Sequence, residues 1–90
     1  MSIVKLSAMP YAQAHVSRRP ESIGLVSYTT CVATIDASGW LEVYGLYSMT
    51  TRRHIGAFVR EYANISYQLA RELYEKNMVY NIYTGEIRSL

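Results

Sequence analysis

One cysteine, two prolines, one tryptophan and one phenylalanine are all that the 90 residues hold of these types, and each scarcity closes off a class of protein. Cys31 has no partner for a disulfide framework. Together with His15 and His54 it is too scattered to supply the three or four ligands that a zinc site needs. A chain without disulfides is expected in a reducing, cytosolic setting. No apolar run approaches the roughly 18 residues of a membrane span, and the first residues lack the charged-then-apolar order of a signal peptide. Neither membrane association nor export is therefore expected. The five glycines form no phosphate-binding loop. Of the seven carboxylates, Asp36, Glu42, Glu61, Glu72, Glu75 and Glu86 are spread over a turn, strands and helix faces, with no close pair set among apolar residues that would split their proton affinities. Catalysis, a metal and a cofactor are accordingly not expected.

What remains is a chain with 50% hydrophobic and 18% charged residues, a balance that suits one folded domain and excludes a disordered tail. At this size only about two-thirds of the unfolded surface is buried, so one small core is expected over residues 1–90. The apolar inventory leans on tyrosine, with nine copies. Tyrosine is both a favoured strand residue and a contact residue with little conformational entropy to lose. The formal charge is only +2, too small to argue for nucleic-acid binding, but seven of the nine cations are arginine, the cation that makes planar, bidentate contacts.

The elements follow from pattern. Ser2 to Ala8 reads as a short strand ended by Pro10, and Tyr11 to Glu21 as an irregular or edge element. Ile23 to Ile35 and Trp40 to Ser48 are strand-like and flank the turn residues Asp36-Ala37-Ser38-Gly39, which gives a β-hairpin. With Asp36 facing Gly39, Thr34 opposes Leu41, Val32 opposes Val43, Thr30 opposes Gly45 and Tyr28 opposes Tyr47. Both hairpin faces are then apolar, and a covering element or a second chain is expected on each. Ile55, Phe58, Val59, Tyr62, Ile65, Leu69 and Leu73 recur at helical spacing behind Thr50 or Thr51 as N-cap. Ala63-Asn64 either divides this stretch into two helices, with Asn64 as cap of the second, or lies within one helix that runs to Lys76 or Asn77. A strand, a turn at Gly85 and a short terminal strand complete the chain. The expected fold is α+β: a small antiparallel sheet built on a central hairpin and packed against one or two helices.

Two basic clusters stand out. Arg52, Arg53 and His54 occupy the first turn of the helix, where cations oppose the helix dipole and call for an anion or a partner carboxylate. With Tyr44 and Tyr47 they make the expected partner-binding surface. Arg18 and Arg19, joined to Arg52 and Arg53, make the alternative, a nucleic-acid patch aided by tyrosine stacking. Cys31, in mid-strand among Val and Thr, reads as a small core residue.

The run Tyr47-Ser48-Met49-Thr50-Thr51-Arg52-Arg53-His54, followed by Phe58 and Arg60-Glu61, resembles an uncharacterised family of short phage and mobile-element proteins with a Tyr-Ser-x-Thr-Thr-x-x-His pattern. Ser27 to Ala33 and Leu41 to Val43 extend the likeness. The resemblance implies a phage-type protein in a host bacterial cell, acting on a host protein or ribonucleoprotein complex. Anti-CRISPR inhibitors of defence nucleases are one such class. Self-association as a homodimer through an exposed hairpin face is also expected.

Overall fold

A computed structural model describes residues 2–4 and 13–90. Seven strands form one antiparallel sheet in which each pairs with the next: β1 (Ser2–Val4), β2 (Ala14–Arg19), β3 (Ser22–Ser27), β4 (Thr30–Asp36), β5 (Trp40–Val43), β6 (Met78–Asn81) and β7 (Ile87–Ser89). Two helices, α1 (Met49–Tyr62) and α2 (Tyr67–Glu75), are inserted between β5 and β6. α1 packs on β3 and β4, and α2 on β5 and β6, so both cover the same face of the sheet. The fold is α+β, as expected. The rest of the first segment, residues 5–8, and the start of the second, residues 11 and 12, lie outside the described residues.

The core is the inward row of β2 to β5 meeting the apolar stripe of α1. Val16, Leu25, Val32, Ala33, Ile35 and Leu41 face Ile55, Phe58 and Val59, all of them buried. Burying a side chain of this kind stabilises by about 1.5–3 kcal/mol, which is why the stripe outweighs the weak helix propensity of its β-branched residues.

Several expectations are corrected. Tyr11 to Glu21 holds an ordinary inner strand, β2, paired on both sides, with Pro20 placed in the turn to β3. Ile23 to Ile35 is two strands, because the chain reverses at Tyr28 and Thr29, where Tyr28 takes φ 58°. The hairpin register differs by one residue: Ile35 opposes Leu41 and Ala33 opposes Val43. Gly39, at φ 93°, adds a third loop residue, and the Asp36 carboxylate accepts from the amides of Ser38 and Trp40 to hold the turn. A one-residue slip exchanges the faces.

The fourth correction is Cys31. Leu25 opposes Ala33 but Val26 opposes Cys31, so Val32 is an extra residue in β4. This bulge turns both Val32 and Ala33 inward and leaves Cys31 exposed on the outer face. The outer face carries Ser17, Arg19, Ser22, Gly24, Val26, Cys31, Thr34, Glu42 and Tyr44. The second hairpin face, expected to be apolar, thus mixes polar side chains with Val26, Cys31 and Tyr44.

The stretch from α1 to α2 is two helices. Ser48, not Thr50 or Thr51, caps α1 by accepting from the Thr51 amide, and Ser66, not Asn64, caps α2 by accepting from the Leu69 amide. Asn64 and Asn77 instead end the two helices at φ 55° and 53°, the left-handed conformation that Asn tolerates.

Candidate functional site

The N-terminal half of α1 is fixed to the sheet by hydroxyl groups. The Ser48 hydroxyl donates to Thr51 Oγ1 at 3.2 Å, Thr51 Oγ1 lies 3.1 Å from Ser27 Oγ, and Ser27 Oγ lies 2.8 Å from His54 Nδ1. Each hydroxyl has one proton. A hydroxyl oxygen also accepts twice, so the direction of the Thr51–Ser27–His54 bonds is set by the imidazole tautomer, with Nδ1 accepting from Ser27 or donating to it. Nε2 is buried and has no hydrogen-bond partner among the described residues. Burial lowers the pKa of His54 below its ordinary 6.5 and keeps the ring neutral. His54, expected on the contact surface, is fully buried and offers none.

With Thr51, His54, Ile55 and Phe58 turned inward, the opposite side of α1 carries Met49, Arg52, Arg53, Gly56, Ala57 and Arg60. This is a single stripe at helical spacing, and it lines a groove of about 490 Å³ whose other wall is Tyr67 and Arg71 of α2. Four guanidinium groups therefore share one groove. Arg52 Nε donates to the Leu46 carbonyl at 3.4 Å, and Arg71 pairs with Glu75 at 3.1 Å one helical turn along. Among the described residues, no carboxylate pairs with Arg53 or Arg60. Tyr67 lies against Gly56, and its hydroxyl is buried without a partner among the described residues. Converging cations beside apolar surface favour an anionic group that brings apolar contacts of its own.

The other expected residues lie elsewhere. Tyr44 hydrogen-bonds Thr34 at 2.8 Å on the outer sheet face. Tyr47 is exposed, with its ring folded over Gly45. Arg18 stacks on Tyr62 with its guanidinium carbon 5.3 Å from the ring centroid, and Arg19 extends from the outer face. Arg18 and Arg19 do not join Arg52 and Arg53 in one patch. Conversely, Arg60 and Arg71 were not singled out in the sequence. Arg60 follows Arg53 by two helical turns and was legible as the outer stripe of α1, whereas Arg71 enters only through the approach of the two helices.

No group of three or more His, Cys, Asp or Glu among the described residues could hold a metal ion, and none of their helices is long and apolar enough to cross a membrane. The model of a family of unknown function (DUF8033) matches residues 3–79, and the chain belongs to that family. No curated protein and no solved structure matches it.

Proposed function

We propose that this member of a family of unknown function is a non-catalytic binding protein that acts by contact with another protein, with the α1–α2 groove as its working surface. The observation that carries this reading is the convergence of Arg52, Arg53, Arg60 and Arg71 on one groove beside Met49 and Tyr67. Arginine is the residue of choice for desolvated contacts with carboxylates, and interface centres are rich in Arg, Tyr and Met. The Ser27–His54 pair supports a role without catalysis, because a nucleophile must reach its substrate and the Ser27 residue is only 3% exposed.

The setting comes from the resemblance to short phage-type proteins: a host complex as partner, with a defence nuclease of the CRISPR type as the target class. A basic groove does not imitate nucleic acid. Inhibition would work by sealing an acidic surface of that complex.

The test is retention from a nuclease-treated bacterial lysate by the tagged protein and by its Arg53→Glu/Arg60→Glu variant. A protein held by the first and lost by the second supports the reading. Binding that disappears with the nucleic acid favours the alternative, a module that holds phosphates.

A further inference from the structure

We infer that the groove receives an amphipathic α-helix with a row of carboxylates, supplied by the partner protein. This rests on the groove being a protein-contact surface and specifies the chemistry of what it contacts.

Shape comes first. The lining stripe of α1 runs from Met49 to Arg60, which at about 1.5 Å per residue is about 16 Å of helix axis. A channel between two helices is where a third packs, ridges into grooves. Tyr67 covers Gly56, and the small Ala57 beside it lines the groove at mid-length, where a third helix can approach closely.

Charge comes second. Arg53 and Arg60 are two turns apart on α1 and carry no intrachain carboxylate among the described residues. A helix laid along α1 repeats its own face at the same interval, so acidic residues seven apart meet both arginines. Arg52 and Arg71 flank that line, where acidic residues three or four positions away would fall. Bidentate pairing of guanidinium with carboxylate suits each position.

Composition comes third, and it separates a helix from a nucleic-acid strand. Met49, Ala57 and the Tyr67 ring offer apolar contact that a phosphate backbone cannot use. Stacking of successive bases needs several rings, and the groove is lined by one, the half-buried Tyr67 packed beside Gly56.

The experiment is a selection of displayed 18-residue peptides on the wild-type protein, with counter-selection on Arg53→Glu/Arg60→Glu. Enriched peptides should carry acidic residues at intervals of three, four and seven with apolar residues between them. The synthetic peptides should gain helical circular dichroism on binding and bind the double variant at least tenfold more weakly. Arg53→Gln/Arg60→Gln, with its fold checked by thermal melting, guards against a misfolded reversal and should show the same loss. Enrichment without acidic periodicity, no enrichment at all, or binding without gain of helix overturns the helix inference. If lysate retention still depends on Arg53 and Arg60 in those cases, the protein-contact reading stands. A single-stranded 20-nucleotide DNA that displaces the peptides, with steep salt dependence, overturns both.

Discussion

Tyr67 lies directly against Gly56: a Cβ added at position 56 would sit 3.4 Å from the Cβ of Tyr67. That contact brings the first turn of α2 against the middle of α1 and creates the groove. Two other glycines carry tyrosine rings in the same way, Gly39 beneath Tyr83 and Gly45 beneath Tyr47. Part of the tyrosine surplus is thus spent covering glycine backbone.

At position 56, an alanine gains about 1 kcal/mol of helix propensity over glycine and meets Tyr67 at ordinary contact distance. Gly56→Ala should therefore leave stability unchanged or raise it by up to about 1 kcal/mol. Gly56→Leu must push α2 away and should lower stability by about 1–3 kcal/mol. Urea denaturation midpoints of the two variants check this, and a leucine variant as stable as the wild type would deny the close approach.

The turn glycine has less latitude. A Cβ at Gly39 would come within 2.5 Å of the Tyr83 ring, and the backbone there is at φ 93°. Gly39→Ala should cost about 1–3 kcal/mol through strain and collision together. Adding Tyr83→Ala removes the collision but not the strain, so the double variant should recover part of the loss in a double-mutant comparison.

Removing the Tyr67 hydroxyl leaves the ring on Gly56 and deletes a buried polar atom with no partner among the described residues. Unsatisfied buried groups cost about 1–3 kcal/mol, so Tyr67→Phe should be at least as stable as the wild type by thermal melting. A clear loss of stability would show that the hydroxyl has a partner in the folded protein.

Burial holds the pKa of His54 below 6.5, its ordinary value in an unfolded chain. Between the two values the unfolded chain binds the proton and the folded one does not. The contribution is fully present above about pH 6.5 and declines as pH falls below it. Melting temperature should drop from pH 7.5 to pH 5.5, and His54→Asn should flatten that drop. An unchanged slope would show that His54 is not the titrating group.

Much of the fold was legible because its signals are local. The turn at Asp36 to Gly39, the apolar stripe from Ile55 to Leu73 and the terminal turn at Gly85 each carry their own chemistry. The turn at Tyr28 and Thr29 was not, since it uses none of the usual turn residues and places a tyrosine at φ 58°. Cys31 was misplaced because the bulge at Val32 breaks the alternation on which face assignment rests. His54 looked like part of a basic cluster. Only the packing of α1 on β3 shows that it turns inward to Ser27 while Arg52 and Arg53 turn outward. The groove itself needs both helices in place, so half of its arginines escaped a reading that followed sequence neighbours.

The central claim is that Arg53 and Arg60 belong to the contact surface. Its most direct measurement is the affinity of the retained partner for wild-type protein, for Arg53→Glu/Arg60→Glu and for Arg18→Glu/Arg19→Glu. The account predicts at least a tenfold loss for the groove variant and little change for the other. Equal affinity of the wild type and the groove variant would contradict it.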